Sequence, residues 1–257
     1  LIHGWANRRI SLLPRFIWPP MNPISSPAIH LLLMEVGRQN NAHGFCTRIG
    51  TEKNIKYCCK NLPTGDFCYH KFMKLKREFF DRDTLVVAKE LLGKVIVRHA
   101  GGQIIKVRIV ETEAYCGAED KACHARHGRT KRNEPMWGKA GVTYIYLCMG
   151  LWNLLNIVTK SEGEPEAVLI RGIIPLTDTG ENFKTYGPGN TTRYLKIDRK
   201  LDNLDTIYSS ELWLENDGFE VLKEDIKTAS RIGIAYSVEY KNKPWRFILK
   251  ALQKIIE

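Results

Sequence analysis

Residues 103–115 read QIIKVRIVETEAY, and their pattern decides the architecture. Ile105, Val107 and Ile109 recur at every second place with Lys106 and Arg108 between them. That is the period of a half-buried β-strand and not of a helix. Continued without interruption, the alternation places Glu111, Glu113 and Tyr115 on the same face as the three aliphatic residues. The strand is therefore predicted to carry two carboxylates along an apolar face, a costly position for a charge without a partner.

Working outward toward the N-terminus, Gly101-Gly102 reads as a turn and residues 94–99 as a strand. Ahead of them, Leu85, Val86, Ala88, Leu91 and Leu92 follow Asp83, a good N-cap, and stop at Gly93. This predicts a helix over 84–92. Toward the C-terminus, residues 142–148 and 151–159 are β-rich runs separated by Met149-Gly150, where glycine can take the positive φ that a tight hairpin demands. A β-hairpin with Met149 at its tip is expected. Residues 168–174 predict another buried strand, 223–230 a helix and 245–250 a closing strand. Strands and helices do not alternate regularly, so the fold class is α+β and not α/β.

The chain has 257 residues, 44% of them apolar, which excludes a disordered or collagen-like polymer. The net charge of +11 is unevenly spread. Residues 1–76 hold 11 Lys+Arg against 3 Asp+Glu, and residues 77–257 hold 28 against 25. The first segment has no acidic residue before Glu35 but contains Arg8, Arg9 and Arg15. It reads as a basic N-terminal extension, disordered or targeting, ahead of the main domain at 77–257. Seven irregularly spaced cysteines without a C-x-x-C pair indicate free thiols in a reducing compartment and no metal site. The apolar run at 31–34 is far shorter than the ~18 to 20 residues that span a bilayer, so no membrane partner is expected.

Three local features carry chemistry. Glu111 and Glu113 beside Tyr115 can supply a general base whose pKa burial would raise, although a structural ion pair could occupy the same places. Between Lys121 and Lys139 lie Arg126, Arg129, Lys131 and Arg132, with His124 and His127, against one acid, Glu134. Such a loop suits phosphate contacts, though a solvated charge run would look the same. The hairpin sets an apolar Met149 between strands bearing Tyr144, Tyr146 and Trp152, a combination able to wedge between bases and stack on them. Taken together they point to chemistry on a base extruded from a duplex. Phosphate-loop, dinucleotide, serine-hydrolase and zinc-deaminase signatures are absent from the sequence.

Seven ordered motifs then resemble one family. They are FFDRDTLVVAKELLGK at 79–94, RIVETEAYCGAEDKACHARHGRT at 108–130, RNEPMW at 132–137 and GVTYIYLCMGLWNLLNIVT at 141–159. AVLIRGIIPL at 167–176, YGPGNTTRYLKID at 186–198 and SRIGIAYSVEYKNKPWRF at 230–247 complete the set. Over roughly 79–250 the chain resembles the alkyladenine (3-methyladenine, or methylpurine) DNA glycosylases. The resemblance implies a single compact domain, with a mixed, curved antiparallel sheet, a protruding DNA-intercalating hairpin and helices around it. It implies hydrolysis of the N-glycosidic bond of alkylated or deaminated purines, leaving an abasic site. Glu113 would activate the water, Glu111 would be structural, and Arg171 and the backbone carbonyl at Ile232 would help hold that water. Tyr115, Tyr146 and His124 would enclose the flipped base, Asn156 would exclude the amine of normal guanine, and Met149 would fill the gap in the duplex.

In this family the hairpin-tip residue is commonly Tyr, and the stretch between Leu176 and Gly187 is usually longer. The implied partner is double-stranded DNA with damaged purines, met by a monomer that needs no cofactor. The implied location is the nucleus, with the mitochondrion as a second address if the basic extension is a transit peptide. The alternative reading is a lesion-binding protein that has lost turnover.

Overall fold

The computed structural model describes residues 72–177 and 185–250, together with the backbone of two short antiparallel strands, β1 (Cys46–Ile49) and β2 (Lys56–Cys59). The rest of the basic extension, and most of the stretch between Leu176 and Gly187, lie outside the described residues, and with them the expectations of disorder and of a shortened segment. After β3 (Met73–Lys74) come two short helices, α1 (Arg77–Phe80) and α2 (Thr84–Glu90). The Asp83 side chain caps α2 as expected, accepting from the Val86 N–H at 3.0 Å. Gly93 closes this region with φ +83, and a Cβ there would lie 2.7 Å from Val221 and 2.9 Å from Phe219. Only glycine meets both conditions.

β4 (Val95–Ala100) and β5 (Gln103–Cys116) flank the Gly101-Gly102 turn, and the hairpin follows as β6 (Thr143–Cys148) and β7 (Trp152–Thr159). β8 (Glu166–Pro175), α3 (Pro188–Tyr194), β9 (Leu212–Asn216), β10 (Ile226–Ala229) and β11 (Arg246–Leu249) complete the fold. The helix expected over 223–230 is instead a single 3-10 turn at Lys223–Asp225 running into β10. Pairing with β11 overrides a weak local helical pattern there. Among the described residues nine strands form one sheet in the order β3-β9-β4-β5-β8-β7-β6, with β11 on β5 and β10 on β11, and every pair is antiparallel.

Helices of four to seven residues have no stability of their own, so burial against the sheet holds them. Phe80, Val87, Ala88, Leu91, Leu92, Tyr194 and Leu195 pack on one sheet face, against Ile105, Ile109, Ile145, Leu155 and Ile170. A smaller cluster on the opposite face joins Cys123, Ala125 and Met136 to Tyr144, Val158 and Ala167. The basic loop is thereby folded over that second face.

The alternation predicted for β5 does not run its length. Ile109 opposes Ile173 and Thr112 opposes Ile170, but between them Glu111 opposes Gly172. Val110 is thus an extra residue on β5 and Arg171 an extra residue on β8. The two irregularities cancel in register yet turn both strands over. Ile105, Val107 and Ile109 face the main core before the bulge and Ala114 after it; on β8, Ile173 does so on one side, and Ile170 and Val168 on the other. Glu111, Glu113 and Tyr115 therefore lie on the face opposite the aliphatic residues, contrary to the uninterrupted period. On the helix-covered face the carboxylates would be desolvated among aliphatic side chains, whereas the bulge turns them toward arginines.

Candidate active site

The second sheet face gathers its polar residues by strand period. β5 contributes Glu113 and Tyr115, β6 contributes Tyr144 and Tyr146, β7 contributes Asn156, and Arg171 sits at the bulge of β8. Glu113 is fully buried and held at both oxygens. Its Oε1 accepts the Ile232 N–H at 2.8 Å, and its Oε2 accepts the Tyr115 hydroxyl at 2.9 Å. Arg171 Nε stands 3.5 Å from Glu113 Oε1 and 3.3 Å from Glu111 Oε1. Burial pushes the Glu113 carboxyl above its ordinary range, against the pull of Arg171 and the two hydrogen bonds, and the Glu111 charge adds to the rise. A fixed, desolvated carboxylate of raised basicity is suited to taking a proton from water.

Beside it, burial and the Glu113 charge keep Tyr115 protonated, so it remains a donor. The His124 ring meets Tyr146 edge-on at 4.5 Å between centroids, and its Nδ1 lies 2.7 Å from the Tyr144 hydroxyl. Burial, with Arg132 and Arg126 nearby, pushes His124 down to about 4, so the ring is neutral at pH 7. Tyr115, Tyr146 and His124 thus line one place with flat, uncharged faces. Asn156 is buried and its amide donates to the carbonyls of Tyr144 and Leu154 at 3.0 and 3.3 Å, which fixes its orientation.

Behind Tyr115 lies an ion pair that sequence reasoning missed. Asp120 and Arg231 are bidentate, with Arg231 Nη2 donating to Asp120 Oδ1 at 2.8 Å and both side chains fully buried. The Arg231 guanidinium lies between the rings of Tyr115, at 4.7 Å, and Trp245, at 5.0 Å. It also donates to the Ala114 carbonyl. Arg231 directly precedes Ile232, so this anchor fixes the N–H that holds Glu113. Arg246 was missed too, and it donates to Glu111 Oε1 at 2.9 Å. These pairs span more than a hundred residues, and no local spacing signals them.

The hairpin has the expected place and a slightly longer tip. Three residues, Met149, Gly150 and Leu151, lie between the paired Cys148 and Trp152. Met149 and Gly150 both have positive φ, 51° and 71°. The tip stands clear of the sheet, with Met149 87% and Leu151 74% exposed. At its base Trp152 covers Gly189 of α3, where a Cβ would come within 2.8 Å of the ring. The Thr192 hydroxyl donates to the Asn153 carbonyl at 2.6 Å, so α3 braces the hairpin.

The basic loop is divided in its behaviour. Arg132 reaches the hairpin, with Nη2 3.4 Å from the Leu147 carbonyl and its guanidinium over Tyr146. Arg126 packs over Tyr236 and donates to His127, whereas Arg129 is paired with Glu134 at the surface. Lys131 is exposed. A cavity of about 410 Å3 opens between His124, Arg126, His127, Arg132, Asn133 and Tyr236, next to the aromatic site. Among the described residues no group of three or more His, Cys, Asp or Glu could hold a metal ion, and no helix is long and apolar enough to cross a membrane.

Known proteins are similar to this chain. A family model described as methylpurine-DNA glycosylase matches residues 78–253. A protein of Desulfitobacterium hafniense (strain Y51), named "Putative 3-methyladenine DNA glycosylase", is 42% identical over 201 residues, covering 71% of this chain and 98% of that one. Proteins of the same name from Anaeromyxobacter sp. (strain Fw109-5) and Methanocella arvoryzae are 45% and 44% identical, over 69% and 67% of this chain and 90% of each relative.

Proposed function

The chain belongs to the methylpurine-DNA glycosylase family, a family of DNA-repair hydrolases, and from that premise we propose that it excises alkylated or deaminated purines with Glu113 as the base that activates water. The observation that carries the proposal is the fully buried Glu113 carboxylate, tethered at both oxygens and flanked by Arg171, at the edge of a place lined by Tyr115, Tyr146 and His124.

The substrates are 3-methyladenine, 7-methylguanine, hypoxanthine and ethenoadenine in double-stranded DNA. The damaged nucleotide leaves the stack, its base lies among the three rings, and Met149 occupies the gap. Water forms a bond to C1′ and passes its proton to Glu113, while the N-glycosidic bond breaks with its electron pair going to the purine. A purine carrying a positive charge departs as a neutral base. The oxocarbenium-like centre at C1′ is stabilised by the carboxylate beside it. Asn156, held rigid by two carbonyls, disfavours the exocyclic amine of guanine, a penalty that 7-methylguanine overcomes because its cationic ring leaves more readily, and Arg126, Arg129, Lys131 and Arg132 meet the backbone phosphates. The reaction uses no lysine nucleophile and leaves an abasic site without strand cleavage. The enzyme acts as a monomer on nuclear DNA, and on mitochondrial DNA where the basic extension directs it there.

Single-turnover release of 7-methylguanine and hypoxanthine from duplex DNA by the full chain tests this, with Glu113→Gln in parallel. Release by the wild type and a loss of about 10² to 10⁴-fold in the variant, with DNA binding retained, is expected. Tight lesion binding without release by the wild type would replace the enzyme with a lesion binder.

A further inference from the structure

Two carboxylates and two guanidiniums meet where β5, β8 and β11 join, and only one of the four groups is a base in the mechanism above. Arg246 of β11 is registered directly opposite Glu113, yet its guanidinium passes Glu113 by and donates to Glu111 at 2.9 Å, with its Nε on the Ser230 carbonyl. Arg171 Nε likewise lies closer to Glu111 than to Glu113, 3.3 against 3.5 Å. Glu111 is fully buried, and one oxygen takes both arginines. Its other oxygen is buried without a hydrogen-bond partner, against Gly172, where an added Cβ would sit 3.3 Å from it.

We propose that Glu111, clamped by Arg246, is a positioning residue that holds Arg171 beside Glu113 without letting it close on Glu113. The inference rests on the reading of Glu113 as the base. Were Glu111 absent, the Arg171 charge would fall wholly on Glu113 and make it a weaker base. The Glu111 charge offsets that of Arg171 and adds its own repulsion, so Glu113 takes a proton more readily. Among the described residues, the other charged or titratable groups about Glu113 and Arg171 are Tyr115 on β5, Tyr146 on β6, Tyr186 ahead of α3 and, behind Tyr115, the Arg231–Asp120 pair. None of these has a hydrogen bond or ion pair with Glu111 among the described residues, so the partners that its substitution releases are Arg171 and Arg246.

The test is the pH dependence of single-turnover release of 7-methylguanine, a cationic lesion that needs no protonation to leave. Glu111→Gln is expected to move the acid limb to lower pH by about one unit, as loss of a like charge within a few ångströms does. Arg246→Gln is expected to move it the other way, because Glu111 then draws Arg171 more fully to itself. Glu111→Asp keeps the charge and should keep the limb in place, even where the plateau rate falls. A purely structural Glu111 would lower the rate at every pH with an unchanged midpoint, and unchanged midpoints in both Gln variants overturn the proposal. If Glu111→Gln does not fold, the Arg246→Gln limb alone decides. The two readings fail separately: turnover persisting in Glu113→Gln removes the base assignment, whereas unmoved limbs with a dead Glu113→Gln remove only the role of Glu111.

Discussion

Asp120→Ala tests the anchor beneath the site. Asp120 accepts two hydrogen bonds from the Arg231 guanidinium and one each from the N–H groups of Cys116 and Ala122, at 3.2 and 3.0 Å. Both partners of the ion pair are fully buried, so truncating the acid leaves a guanidinium with neither water nor carboxylate. Breaking such a pair on one side costs about 3 to 5 kcal/mol. At about 2 to 4 °C per kcal/mol for a domain of this size, the midpoint of thermal unfolding should fall by about 6 to 20 °C. The double variant Asp120→Leu with Arg231→Met removes both charges and keeps apolar volume between Tyr115 and Trp245. It should be more stable than Asp120→Ala, and the coupling can be read from a urea-denaturation cycle. Because Arg231 adjoins Ile232, release of 7-methylguanine should fall in Asp120→Ala even at temperatures where the variant is folded. A loss of less than 1 kcal/mol, or a double variant no better than the single one, would refute the claim that this pair anchors the Glu113 tether.

Three further outcomes are expected. His124 is held down to about 4 against an ordinary value near 6.5, so the unfolded chain binds its proton first. Its contribution to stability is whole above pH 6.5 and is lost as pH falls toward 4, and the stability deficit of His124→Phe in urea titrations should therefore shrink over that interval. Met149→Tyr should tighten binding to duplexes holding an abasic site, by about fivefold for ~1 kcal/mol of added stacking, and Met149→Gly should weaken it, as read by fluorescence anisotropy. Gly189→Ala puts a methyl group 2.8 Å from the Trp152 ring, which must then move, so lesion release should slow while a far-UV spectrum stays native. An unchanged rate would mean that α3 does not brace the hairpin.

The hairpin, the capped helix α2 and the long strand β5 were legible because each is written in neighbouring residues: a period, a cap, a glycine after the tip. The aromatic wall was legible for the same reason, since Tyr144 and Tyr146 share a face by alternation alone. The segment 223–230 was not, because its strand exists only through the partner β11, which lies some twenty residues further on. Nor were the arginines that complete the site. Arg231 meets Asp120 across 111 positions, and Arg246 meets Glu111 across 135. Such partnerships are made by topology, and a single sequence contains no spacing rule for them.

The bulge is the instructive failure, because the error it causes is one of side and not of position. Period two identified the right strand and the right carboxylates, then assigned them to the wrong face. One extra residue on β5 would have forced every later pairing with β8 out of step, and the extra residue on β8 restores it. That second residue is Arg171, the cation the displaced carboxylates need. The same irregularity therefore turns Glu111 and Glu113 away from the aliphatic core and presents their counter-charge. Gly172 beside it leaves room for the Glu111 side chain, since a Cβ there would come within 3.0 Å of Glu111 Cβ. Four consecutive residues of β8, Ile170 to Ile173, thus combine two core contacts, the arginine and the space that admits the acid. Gly172→Ala should accordingly disturb Glu111 before it disturbs the core, so its first effect should be on the acid limb of lesion release and only its second on the unfolding midpoint.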